Sequence, residues 1–248
     1  MKKSISWTVS ITIILIFASS LTYTLHYLIF RDLHHIFIYM IGDFGFLFLD
    51  VLLVIILIER LLTKREKEMI LKKLNMVIGA FFSEVGLELL KRLSEFMIGT
   101  DALKEKMLID TRWGKKEFRE ALKSAKSFSY EIKVEPLKLA ELRNFLHEKQ
   151  SFMLRLLENP NLLEHEHFTD FLWAVFHLSE ELTLRGRELE NLPQSDYEHL
   201  AGDLKRACSL IIEEWIAYTS HLKEKYPFLY SLAVRINPLN PSASPIVR

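Results

Sequence analysis

The sequence predicts an all-α protein: a two-helix transmembrane hairpin followed by a cytoplasmic helical bundle. Three observations carry that expectation. Two long apolar runs fall within the first 63 of 248 residues. Charge is partitioned: residues 1–63 hold four basic residues (Lys2, Lys3, Arg31, Arg60) and four acids (Asp32, Asp43, Asp50, Glu59) out of 32 of each sign. Glycine and proline are scarce, at eight and seven residues, and no segment sustains the alternation of a half-buried strand. Residues 64–248 carry the rest of the charge and are numerous enough to build their own core.

The first run, Trp7 to Phe30, has 24 residues and no formal charge. As a helix it would extend about 36 Å against a hydrocarbon thickness of roughly 30 Å. A cleaved signal peptide is the competing reading, since Lys2 and Lys3 resemble its basic start and Ala18-Ser19-Ser20 its small residues. The apolar pattern continues ten residues past Ser20, too far for a signal core, so an uncleaved span is expected.

The second run extends from Ile36 to Leu62, with the span itself over about 40–62. The 13 apolar residues between Phe44 and Ile58 offer roughly −4 to −8 kcal/mol of insertion energy, and Asp50 opposes this by about +3 kcal/mol. Insertion wins. Lys2 and Lys3 before the spans, and Lys64, Arg65, Lys67, Lys72 and Lys73 after them, put both termini on the cytoplasmic side of the cell (inner) membrane. The same five basic residues are candidates for contact with anionic lipid headgroups, at about 1 kcal/mol each.

Three ionisable groups lie in the apolar quarter: His26, Asp43 and Asp50. A hydrogen bond between His26 and Asp43 is expected at the outer side. Asp43 and Asp50, seven residues apart, share a helix face, and Gly42 and Gly45 would let another helix approach it. Such groups suit a proton or ion path, yet two spans alone line no pore, so the favoured role is locking a hairpin or a homo-oligomer.

Beyond Thr63, a helix is expected to continue through an amphipathic stretch, Ile70, Leu74, Val77, Phe81, Val85, Leu89, Leu93 and Phe96. Residues 114–127 form a basic helix. Pro136 opens another that reaches about Glu158, where Asn159-Pro160-Asn161 breaks it. An apolar helix follows from His167 to Arg185, with His165 and His167 as polar residues at its start. Ser195-x-x-Glu198 has the form of a capping box and starts a long helix to about Lys225. A short helix, FLYSLAVRI, completes a helical domain over 64–236, and the Pro-rich tail 237–248 is expected to be extended or disordered.

Zero net charge argues against nucleic acid as a partner. The expected partners are the bilayer, a second copy of the chain and a cytoplasmic protein. Phosphate-loop, Gly-x-Ser-x-Gly, HExxH and paired-cysteine motifs are absent, and Cys208 sits among apolar neighbours. No cofactor follows from a motif. A divalent metal is the one candidate, because Asp170, His177 and Glu181 share a helix face, as do Glu214, Tyr218 and His221. His199 and Asp203 form a further pair one turn apart. Histidines and carboxylates on facing helices build metal sites in bundles, although di-metal bundles use Glu-x-x-His twice and His177-x-x-Glu180 has the reverse order.

The stretches IGDFGFLFLDVLLVIILIERLL, KKLNMVIGAFFSEVG and HLKEKYPFLYSLAVRINPLNPSASP resemble uncharacterised prokaryotic two-span membrane proteins. The resemblance covers most of the chain. It implies an architecture and no activity. The leading functional expectation is a membrane-anchored interaction or signalling protein; the alternatives are a metal-dependent helical enzyme and a transport subunit that oligomerises around Asp50.

Overall fold

Helix α1 spans Trp7–Phe30 and α2 spans Leu33–Phe81, separated by Arg31 and Asp32 alone. Arg31 ends α1 in the left-handed region, at φ 52°. The Asp32 carboxylate then caps α2 by accepting from the backbone N–H groups of His34 and His35, at 2.9 and 3.2 Å. The connection is two residues long, and His34 and His35 belong to the second helix. The computed structural model describes residues 7–160, 162, 165–186 and 188–247, and of Lys67 and Glu68 the backbone only. Lys2, Lys3 and the Lys67 side chain, three of the expected orientation signals, lie outside the described residues.

The chain divides into two units, residues 1–67 and 68–248. In the first, α1 and the apolar part of α2 are both long and apolar enough to cross a membrane. Helix α1 buries none of its residues. Side chains such as Phe17, Ile41 and Phe48 are about two-thirds exposed, with no core beneath them.

The second unit has a continuous core built on α2's last turns, α3 (Leu87–Ser94), α5 (Lys115–Ser127), α6 (Pro136–Leu157), α7 (Glu166–Arg185), α8 (Gln194–Lys225) and α9 (Pro227–Arg235). Short α4 covers Asp101–Lys106. Among the described residues the chain is all-α apart from one two-residue antiparallel ladder, where β1 (Met97–Ile98) pairs with β2 (Glu131–Ile132). Four residues are too few to produce a readable alternation, which is why no strand was expected.

Between α2 and α3 the helix widens to a π turn over Phe82–Gly86. The buried positions explain it. Phe81, Val85, Leu89 and Leu93 recur every four residues, and an ideal α-helix of 3.6 residues per turn would rotate that stripe off the core. The wide turn resets it. It also lets two consecutive phenylalanines be buried at once: Phe81 packs edge-on against Phe168 and Phe171 of α7, and Phe82 stacks on Tyr218 and leans on Trp215 of α8. Gly86 is required here, because a Cβ would stand 2.6 Å from both phenyl rings.

Two expectations are corrected. Helix α8 begins at Gln194 after Pro193, so Ser195 is already inside the first turn and makes no capping box. The neighbouring Asp196 is drawn instead into a pair with Arg185. The tail's start is packed, not loose. Asn237 is fully buried; its amide donates to the Met107 carbonyl (2.8 Å), and its oxygen accepts from Trp215 Nε1 (3.1 Å) and the Leu239 N–H (3.2 Å). Ser244 N–H also reaches the Arg235 carbonyl. Prolines forbid a further helix there, but they do not forbid docking.

Candidate functional site

The seam between α7 and α8 gathers His167, His177 and His199 with the buried carboxylates Asp203, Glu213 and Glu214. Helix α7 turns Phe168, Phe171, Leu172, Val175, Leu178 and Leu182 into the core, and α8 turns in Leu200, Leu204, Cys208, Ile211 and Trp215. Along the edges of those stripes run the polar residues. Gly186, at φ 59°, ends α7, and its carbonyl accepts from the Arg143 guanidinium. The chain then returns antiparallel: Arg185 meets Asp196, Glu181 meets His199, His177 meets Asp203, and His167 meets Glu213.

Two constellations result. The first is His177 and Glu181 on α7 with His199 and Asp203 on α8. His177 Nε2 stands 3.6 Å from Asp203 Oδ2 and 3.9 Å from Glu181 Oε1. His199 Nε2 stands 3.5 Å from the same Asp203 oxygen and 3.6 Å from Glu181 Oε2. Each helix thus supplies a histidine and a carboxylate one turn apart. Asp203 is 6% exposed, and its Oδ2 is buried without a hydrogen-bond partner. Its other oxygen faces Arg206 at 3.9 Å. Arg185 hydrogen-bonds Glu181 and holds that carboxyl below the usual range. It also clasps Asp196 with two bonds of 2.8 and 2.7 Å. A depression lined by Asp170, Trp173, His177 and Arg206 opens beside the cluster.

The second constellation is an ion cluster. His167 Nδ1 lies 2.6 Å from Glu214 Oε1, and Nε2 lies 2.9 Å from Glu213 Oε2. Both acids are buried, at 2% and 7% exposure, and Lys126 of α5 approaches Glu213 at 3.8 Å. The bond to Glu214 is the chief reason the imidazole is pushed up to about 9, so it is a cation at neutral pH. Two buried carboxylates and two cations balance, which is how such acids are tolerated in a core.

The structure therefore sorts the residues expected to share a metal. His177 and Glu181 come together and are joined by the His199–Asp203 pair. Glu214 is instead held by His167, and His221 sits against the Tyr226 ring, its imidazole pushed down by burial. Asp170 is exposed beside the depression. His165 caps α7 by accepting from the Phe168 N–H at 3.1 Å, as a polar residue at a helix start should. His167 does more than its position suggested. The antiparallel register was the missing signal: four residues forward on α7 is four residues back on α8, which sets 167 opposite 213 and leaves 177 far from 214.

In the first unit, His26 faces His35 rather than Asp43, with Nε2 and Nδ1 3.4 Å apart and the rings stacked. Asp43 and Asp50 are exposed, and nothing lies within 4 Å of a Cβ at Gly42 or Gly45. Lys64, Arg65, Lys72 and Lys73 are exposed as well.

The fold and seam define a helical protein with an apolar helix pair ahead of a helical domain. Residues 70–235 match the family described as "Uncharacterized protein MJ1433, C-terminal helical domain", and residues 2–62 match "MJ1433, N-terminal helical domain". The chain belongs to this MJ1433 family. It is 45% identical over 230 residues to "Uncharacterized protein MJ1433" of Methanocaldococcus jannaschii, covering 93% of this chain and 92% of that relative. No solved structure matches.

Proposed function

We propose that residues 1–63 form a two-span hairpin in the cell membrane, with both termini cytoplasmic, and tether the helical domain as an interaction or signalling body. The observation that carries this reading is the exposure of α1 and the apolar part of α2. No α1 residue is buried, and the large apolar side chains from Trp7 to Leu62 stand largely open. Contiguous apolar surface on that scale is untenable in water and is what a hydrocarbon phase accepts. The two-residue turn at Arg31-Asp32 suits a hairpin that returns directly to its starting side. Exposed Lys64, Arg65, Lys72 and Lys73 supply the positive flank for the inner leaflet. Asp50, exposed in the densest apolar run, is the natural contact for a second copy.

The test is extraction of native membranes with alkaline carbonate, combined with a reporter fused after Arg248. The expected result is retention in the pellet and a reporter active only inside the cell. Release into the supernatant, or an external reporter, overturns the proposal. Crosslinking in the same membranes distinguishes a second copy from a different cytoplasmic protein as the partner.

A further inference from the structure

We infer that His177, His199 and Asp203 form a mononuclear site for a divalent transition-metal cation of the zinc type, with Glu181 beside it. The inference concerns the helical domain alone and does not depend on the membrane proposal.

The spacing is the first argument. His177 Nε2 and His199 Nε2 stand 3.6 and 3.5 Å from the same oxygen, Asp203 Oδ2. That is long for a hydrogen bond between them, which prefers 2.7–3.2 Å. It is close to the separation of donors around one ion, since tetrahedral ligands at bonds of about 2.1 Å stand about 3.4 Å apart. Ligand atoms of His177, His199 and Asp203 all fall within 4.8 Å of one another.

The second argument is the Asp203 oxygen. A carboxylate oxygen buried without a partner is costly, and this one points at both imidazoles. The contrast with His167 is informative. There the same residue types close to 2.6 and 2.9 Å and satisfy each other, whereas at Asp203 they stay apart around a common point. A cation at that point would satisfy Oδ2 and both Nε2 atoms together.

The donor set decides the class of ion. Two imidazoles and a carboxylate are nitrogen and oxygen ligands, which suit zinc and its first-row neighbours better than calcium or magnesium. Glu181, whose oxygen nearest His199 is bonded to Arg185, stands outside these three donors as an outer partner and leaves a fourth corner for water. The half-exposed imidazoles leave one side open to solvent, so metal can enter without unfolding.

The test uses the full-length chain in mild detergent, without a histidine tag, stripped with chelator and equilibrated with Zn²⁺. One ion per chain is expected. His177→Ala, His199→Ala and Asp203→Asn are each expected to weaken binding at least tenfold, whereas His221→Ala, a half-buried histidine elsewhere on α8, leaves it unchanged. Co²⁺ is expected to give the visible absorption of a four-coordinate ion at one equivalent, absent in Asp203→Asn. Far-UV circular dichroism in chelator checks that the variants remain helical; Asp203→Asn, which neutralises the unpaired oxygen, is the one least prone to unfold. The inference is overturned if the wild type takes up no more zinc than the folded Asp203→Asn protein, or if His221→Ala loses as much as His177→Ala.

Discussion

Replacing His167 by Gln tests the seam's electrostatics directly. The imidazole bridges Glu214 at 2.6 Å and Glu213 at 2.9 Å, and those contacts raise it from 6.5 to about 9. A group whose folded value is raised stabilises the fold fully below its unfolded value and loses that contribution as pH rises through the folded one. The window here runs from about pH 6.5 to just above 9. The full shift corresponds to about 3.4 kcal/mol. The side chain is 39% exposed, and solvent screening of that part reduces the expected contribution to about 1–2 kcal/mol. Urea unfolding of the full chain in detergent, followed by tryptophan fluorescence at pH 6, 7.5 and 9.5, reads this out through Trp215 in the core. The wild type is expected to lose about 1–2 kcal/mol across the series. His167→Gln is expected to be less stable at pH 6 and nearly flat across it. If the variant keeps the wild-type slope, the pH dependence arises elsewhere and the assignment of a cationic His167 fails.

Two further outcomes follow from the packing. Gly86→Ala places a methyl 2.6 Å from the Phe81 and Phe82 rings and is expected to cost about 1–3 kcal/mol in thermal or urea unfolding, with the π turn shifting to relieve it. Asn237→Ala removes three buried hydrogen bonds and strands Trp215 Nε1 and the Met107 carbonyl, for an expected loss of about 2–4 kcal/mol; a stability equal to wild type in the same unfolding assay would mean that the tail is not docked.

How far the sequence could be read differs by element, for physical reasons. Pro136 at the head of α6 and the apolar periodicity of α7 and α8 are local signals, and local signals placed those helices to within a few residues. The capping box at Ser195 was equally local and failed, because a bidentate pairing of Asp196 with Arg185, eleven residues away, competes for the same segment. The tail's prolines announced the absence of helix. Whether Asn237 and Leu239 would find buried partners depended on residues more than twenty positions distant.

Composition and periodicity, which need nothing beyond neighbours in the chain, were enough to determine a charge-poor apolar quarter and an all-α remainder. The grouping of side chains at the α7–α8 seam was settled by the antiparallel register that the Gly186–Pro193 connection imposes. That register took Glu214 from the expected histidine–carboxylate face and gave it to His167. It set His199 and Asp203 against His177 and Glu181 in its place. A helix face can be read along one helix, but the contents of a site between two helices depend on which turns oppose each other, and only the folded chain decides that.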